Sequence, residues 1–432
     1  MTNADSQPVR KATFNRFVKI AARVGVGLFV LVLFFSCARV PGLKEEVTEN
    51  FIRVPFVRVL LDDTKPEVTV SANNPYAVEC ITNGQQLVYY LSGTVRVQNN
   101  GGMLTVLNKS RQAIQEGMDE VNIIPRRSST HLEIDDTRYR GLLNFRVSGQ
   151  GLEAVNIVYM EDYLRGVVPP EIGQRTDDEI EAVKAQAVAA RTYAMAHLKQ
   201  YGDQPYDIKA SIIDQVYGGM NVEDGLVNKA IDATAGMNLM YNDQFVDAYY
   251  HSTCGGMTDN IEHVWDRKEV PYLKAVSDDG ACSWSKYYRW KEVFTEKQLR
   301  GRIEQYLASD RGRDLRIGKI KDLTITSRTP GGRVAELVVV TDQNRFSFHK
   351  DRIRWVLGRT SNPDLILPSD RFDMAIERNS DSTVRVVTFS GSGYGHGVGM
   401  CQCGAIGYAR RGWTYNQILT HYYTGTEVRK LY

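Results

Sequence analysis

A chain of 432 residues, 43% hydrophobic and 24% charged, has the composition of a globular protein with a substantial core, not of a disordered or disulfide-stapled one. Its formal net charge is +2, but Arg10, Lys11, Arg16, Lys19 and Arg23 stand against Asp5 in the first 23 residues, leaving −2 over everything that follows. Without a basic surplus the large portion has nothing to hold a polyphosphate, and the composition argues against nucleic acid as a partner.

Residues 1–23 read as a cytoplasmic basic tail. The run VGVGLFVLVLFFSCA follows from Val24 to Ala38, and Ala21, Ala22 and Val40 extend it to about 20 apolar residues, enough to span a bilayer. Positive charge ahead of it predicts a single-pass signal anchor over 24–40, with the remainder exported to the periplasm or cell-wall side of the cytoplasmic membrane. A cleaved signal peptide would need a small-x-small site, which does not follow the run. A lipoprotein signal ending at Cys37 would need small residues where Phe34 and Phe35 stand. Residues 41–51 form a polar linker, and 52–432 form the exported domain, with 290–390 as a β-rich subdomain.

From Ile52 the pattern is of short strands: IRVPFVRVLL, YAVECI, QLVYYL, GTVRVQ, MLTVLN, LEIDDTRYRGLLNFRV and GLEAVNIVYM, up to Glu161. Gly and Asn punctuate them, as expected of an antiparallel β region. Thr176 to Glu179 is a capping box, and Ile180, Val183, Ala187, Val188, Ala190 and Ala194 give the helix after it an apolar face. A second box, Thr295 to Gln298, opens a helix through about Leu307. DLTITS and VAELVVVTD, joined by Thr329-Pro330-Gly331-Gly332, predict a hairpin. A short helix over 350–357, strands RFDMAIE and TVRVVTF, and a helix capped by Thr414 and ending near Tyr423 complete the chain. Strands and helices interleave without a βαβ period, so the fold class is α+β, mainly antiparallel.

Three clusters carry candidate chemistry. Glu171 lies directly behind Val167-Val168-Pro169-Pro170, in apolar and conformationally stiff company. Poor solvation raises a carboxyl toward neutrality, which makes Glu171 a candidate proton donor. The second cluster is Tyr249 to Gly256, with His251 beside Ser252. Neighbours on an extended chain face opposite ways, so the pair does not make a Ser–His nucleophile; a structural or substrate-contacting histidine is expected. The third is GSGYGHGVGMCQCGA, in which glycine alternates from Gly391 to Gly399. Alternation along a strand would put the glycines on one side, for a tight backbone crossing or for a sugar-binding floor bearing Tyr394 and His396. The spacing is not that of a dinucleotide loop. Cys254 can pair with Cys282, and Cys401-Gln402-Cys403 is cramped or metal-facing. No close Cys-x-x-Cys pair marks a closed zinc site, although ligands from distant segments can converge.

Taken together, NIVYMEDYLRGVVPPEIG, EAVKAQAVAARTYAMAH, YYHSTCGGMTDNIEHVW with PYLKAV, and SGSGYGHGVGMCQCGA with ILTHYYTGTEV resemble the stage II sporulation protein D family, also called the SpoIID/LytB domain. The blocks stand in the family's order and, with the strands before them, span about 52–432. The resemblance implies a peptidoglycan lytic transglycosylase that cuts glycan strands, preferentially peptide-stripped ones. It places the catalytic acid at Glu171, and His251, Ser252, Tyr394 and His396 are carried as substrate-contacting residues. The LytB name also implies an alternative, a non-catalytic wall-binding module that enhances a partner amidase. In some relatives the segment before Gln-Val-Tyr carries zinc-holding Cys and His. Here Asp207 to Asp214, ahead of Gln215-Val216-Tyr217, has neither, so no metal or other cofactor is expected.

Overall fold

The computed structural model describes residues 54–432, except 212–213, 313–314 and 363. The expected basic tail, anchor and linker lie outside the described residues. Among those described, no helix is long and apolar enough to cross a membrane.

Residues 56–159 form two facing, mainly antiparallel sheets, the larger taking Ile208–Lys209 as a parallel edge strand. Period-two burial builds them: Tyr76, Val78 and Cys80 of Tyr76–Thr82 point inward, as do Val95 and Val97 of Val95–Asn100. The larger sheet has seven strands, with Phe56–Asp62 and Gly151–Tyr159 paired near one edge and Gln85–Leu91 at the other. The second has six, running from Thr137–Tyr139 to Ala113–Met118. Gly151–Tyr159 is buried on both faces, with Val155 packing beside Leu60 and Tyr206 away from the main core.

That buried strand runs straight into helix α1 (Met160–Ile172), which the strand pattern ending at Glu161 did not anticipate. Pro169 and Pro170 disguise it, yet both sit in its last turn. Pro170 has no N–H to offer the Gly166 carbonyl; the Gly218 amide donates to that oxygen instead, at 3.0 Å. Gly166 itself is required, because a Cβ there would lie 2.5 Å from the Tyr217 ring.

The capping box at Thr176 and Glu179 is present and opens a 3-10 turn leading into helix α2 (Ile180–His197). This helix is not amphipathic in the expected sense: it is buried on nearly all sides, enclosed by α1 and by helices Gly225–Ala233, Gln402–Arg410 and Tyr415–Tyr422. Its alanines are what allow so many neighbours to approach. Arg191, fully buried, is satisfied by Glu161 of α1 through two bonds, Nε–Oε1 at 2.9 Å and Nη2–Oε2 at 2.6 Å, and donates to the Met237 carbonyl at 3.1 Å. The Tyr432 hydroxyl donates to Glu161 at 2.7 Å.

A second core comes from two three-stranded antiparallel sheets and two helices within residues 290–391, centred on Phe294, Ile303, Leu337, Val339, Ile353 and Phe389. The hairpin of Ile320–Arg328 and Val334–Thr341 forms as expected, and the helix opened by Thr295 runs to Arg311, where Gly312 closes it in the left-handed conformation (φ 65°). The glycine-rich stretch is not the alternating strand the spacing predicted. Strand Val384–Gly391 ends at its first glycine, and Gly393, Gly395, Gly397 and Gly399 all take positive φ. They let this loop cross residues 249–254 at close quarters: a Cβ at Gly399 would lie 2.1 Å from the Tyr249 carbonyl oxygen. This is the tight backbone crossing.

Removing one partner of a buried, bonded pair leaves a bare charge and costs about 3–5 kcal/mol. Glu161→Ala is therefore expected to lose that much in chemical denaturation, and Glu161→Leu with Arg191→Met to recover most of it. A single-mutant loss below about 1 kcal/mol, within the range of an exposed pair, would contradict the role given to the pair.

Candidate active site

Glu171 is the penultimate residue of α1, and Gly173 (φ 72°) turns the chain away just after it, its amide donating to the Pro169 carbonyl. The carboxyl opens into a cavity of about 340 Å³ walled by Tyr193, Val216, Tyr249, Tyr250, Trp265 and His396, with Asp214 contributing a second carboxylate. Burial pushes the Glu171 carboxyl above its ordinary value, against the smaller opposing pull of the Val216 amide and the Gln402 side chain. Gln402 Nε2 also holds the Glu171 carbonyl at 3.0 Å, tying the end of α1 to helix Gln402–Arg410.

The wall is fixed by hydrogen bonds. Tyr163 donates to Gln215 Oε1 at 2.9 Å, and Gln215 Nε2 donates to the Tyr250 hydroxyl at 3.0 Å. Burial, then the nearby Glu171, hold the Tyr250 phenol well above its ordinary value, so it stays a neutral donor. Asp214 is spoken for: Oδ2 accepts from the Tyr201 hydroxyl and the Lys209 amide, both at 2.8 Å, and Oδ1 from Gln200 at 3.2 Å.

The sequence-derived residues divide. His396 lines the cavity with its ring 4.9 Å from that of Trp265. Its Nδ1 accepts from the Val398 amide at 3.1 Å, which leaves Nε2 to donate to the Tyr250 carbonyl at 2.9 Å. Burial drives it down to about 4, so it is a neutral ring with both nitrogens engaged and presents only a face. His251 lies behind it, 4% exposed, its Nδ1 3.2 Å from the Val398 carbonyl and its Nε2 without a partner. Ser252 Oγ meets Thr253 Oγ1 at 3.4 Å and bonds no histidine among the described residues. Tyr394 lies outside the cavity wall, its ring tilted 31° against that of Tyr287 at 4.3 Å with the Arg359 guanidinium over it. The alternation that turns His251 inward turns its neighbour Tyr250 toward the cavity; sequence alone set Tyr249 and Tyr250 in a candidate cluster without a role and passed over Trp265 and Asp214.

A larger hollow of about 810 Å³ lies next to this one and shares Trp265 with it. Two of its carboxylates do not suit proton donation. Asp351, although burial works against its charge, is held below its ordinary value by Arg354, and Glu336 is held down by the Thr326 hydroxyl.

No zinc site of the kind the resemblance places before Gln215 fits here. Asp207 is bound by Arg58 at 2.7 Å and Asp214 by the donors above, with no thiol or imidazole in the run. Cys254 and Cys282 are not joined: their sulfurs stand 3.6 Å apart, and Cys401 and Asp278 share the spot.

With this geometry in view, the sequence matches the family described as Stage II sporulation protein over residues 148–241, the segment that carries α1, Glu171, α2 and Asp214. Stage II sporulation protein D of Bacillus subtilis is 31% identical, the alignment covering 66% of this chain and 77% of that protein. The chain belongs to the stage II sporulation protein D family. Beyond that segment, residues 281–399 match a Domain of unknown function (DUF8618), which spans the second core and reaches His396. The amidase enhancer of Bacillus subtilis is 30% identical over 91% of this chain, which spans 57% of that longer protein. An uncharacterized protein of Brachyspira hyodysenteriae is 28% identical over 88% of the chain and 94% of its own length. Of the cavity wall of this stage II sporulation protein D relative, Glu171, Tyr193, Asp214 and Val216 fall inside the first match, while Tyr249, Tyr250, Trp265 and His396 lie beyond it.

A carboxyl raised on folding stabilises the fold below its unfolded value, ordinarily 4.5, and that contribution fades as pH climbs through the raised folded value. Glu171→Gln removes the charge, so the variant is expected to melt higher than the native chain at pH 7, with the gap closing below about pH 4.5. A variant less stable at pH 7 than the native chain would contradict the raised value.

Proposed function

We propose that this protein is an extracytoplasmic peptidoglycan lytic transglycosylase that cleaves the MurNAc–GlcNAc bonds of glycan strands, with Glu171 as its acid and base. The observation that carries the reading is a single raised carboxyl in an aromatic-walled cavity whose other acid is fully hydrogen-bonded. Ordinary glycoside hydrolysis uses two carboxyl groups, one as acid and one as base or nucleophile. A transglycosylase manages with one. Neutral Glu171 protonates the leaving glycosidic oxygen, and its carboxylate then takes the proton of the same sugar's C6 hydroxyl as that oxygen closes on C1. The intramolecular attack replaces a second catalytic group and leaves a 1,6-anhydro end.

Tyr249 and Trp265 offer ring faces to sugar rings, and the Tyr250 hydroxyl offers a donor beside Glu171. Trp265 joins the cavity to the larger hollow, so a strand could lie across both. Asp214, held in place by its donors, would steady positive charge developing at C1. Anchoring by residues 24–40, a wall-side location and preference for peptide-stripped strands complete the reading.

One finding favours a second reading. The alignment to the amidase enhancer covers nearly the whole chain, which suits a wall-binding module acting with an amidase.

Glu171→Gln is expected to lower release of fragments from purified glycan strands by about 10²–10⁴-fold, the usual worth of a positioned proton donor, with the fold intact. Asp214→Asn should cost less. Full activity in Glu171→Gln sinks the assignment. Intact strands with the native chain, together with faster cleavage by an added amidase, would establish the enhancer instead.

A further inference from the structure

The glycine-rich loop does more than cross residues 249–254. At the crossing, Cys254, Cys282 and Cys401 and the Asp278 carboxylate converge from three separate segments. One ligand atom from each lies within 4.8 Å of all the others, and all four residues are buried. We propose that these four side chains form a closed structural site for a soft divalent cation, zinc by preference.

The dimensions fit. Tetrahedral zinc with bonds of about 2.3 Å to sulfur holds its ligand atoms about 3.7 Å apart, and the Cys254 and Cys282 sulfurs stand at 3.6 Å. The surroundings fit as well. Cys401 Sγ accepts from the Cys254 amide at 3.1 Å and from the Gly404 amide at 3.2 Å, and Cys254 Sγ accepts from the Gly256 amide at 3.3 Å. Backbone N–H groups aimed at sulfur favour the thiolate, the form that binds metal. Asp278 supplies the independent observation. Its Oδ2 accepts from the Cys282 amide at 2.9 Å, but its Oδ1 is buried without any partner, a costly position unless a cation sits against it.

Three sulfur donors disfavour calcium and magnesium, which seek oxygen. Four protein ligands with no open position make the site structural, not catalytic. On binding, the thiols give up their protons to solvent. Such a site would staple Cys254, the 278–282 turn and Cys401 together. Gln402, next to Cys401, reaches back to Glu171, so the metal would brace that wall of the cavity. A Cys254–Cys282 disulfide is the competing state outside the cytoplasm, but it would leave Asp278 Oδ1 buried and still without a partner.

The test is metal analysis of the purified full chain, as isolated and after dialysis against zinc, beside a count of free thiols in the denatured protein. The proposal predicts about one zinc per chain and no disulfide. Cys403→Ser, outside the cluster, should keep the metal, while Asp278→Asn should hold it more weakly in a chelator competition. Cobalt in place of zinc should give thiolate-to-metal charge-transfer absorption that Cys403→Ser retains, which keeps the proposal testable even if Cys282→Ser or Cys401→Ser fails to fold. A chain that takes up no zinc or cobalt, or one isolated with Cys254 bonded to Cys282, overturns it.

Discussion

Everything at the cavity depends on how helix α1 is held, and the pair of Glu161 and fully buried Arg191 holds its first turn. Taking a guanidinium fully out of water is tolerable only because both carboxylate oxygens and the Met237 carbonyl meet it, while Tyr432 and the Gly236 amide complete the carboxylate. The pair fixes the first turn of α1 on α2. Ten residues further on, about 15 Å along the axis, Glu171 is fixed by Gln402. Between them Gly166 presses on Tyr217 and gives its carbonyl to Gly218. Three clamps on one helix turn a flexible acid into a positioned one. The exposed pair of Arg165 and Asp232 on the same helix adds little, since water screens it.

The electrostatics of the cavity follow from the same packing. Desolvation raises Glu171, and two rings of the same cavity wall are kept neutral: His396 by burial and a fixed tautomer, Tyr250 by burial and the adjacent carboxyl. The buried cation behind the glycine-rich loop is Arg333, paired with Asp370 and reaching the Gly395 carbonyl at 3.4 Å. A Cβ at Gly397 would collide with that guanidinium at 2.2 Å. The loop's glycines thus serve Arg333 and the backbone of 249–254 together, and the conformations they adopt are ones that side chains with a Cβ rarely hold.

Much of this was legible in the chain. The α+β class, the capping boxes at Thr176, Thr295 and Thr414, and the hairpin around Thr329-Pro330-Gly331-Gly332 follow from local rules and appear in the structure. The raised pKa of Glu171 followed from its apolar company. What stayed hidden depended on distant contacts. Pro169 and Pro170 masked α1 because the partner replacing a lost helical bond, Gly218, is far along the chain. The glycines looked like one face of a strand until the segment they cross was known. Tyr394 and His396 share a motif but diverge in space, and Asp214 joins Glu171 only through the fold. The sulfur cluster is invisible to spacing rules because its members come from residues 254, 278–282 and 401.

The central claim is that one buried carboxyl suffices because the sugar's own hydroxyl is the nucleophile. It is tested most directly by digesting purified glycan strands in ¹⁸O-labelled water and reading the new ends by mass spectrometry. The account predicts 1,6-anhydro-N-acetylmuramic acid ends carrying no label. Labelled reducing ends would make water the acceptor, require a second working carboxylate, and contradict it.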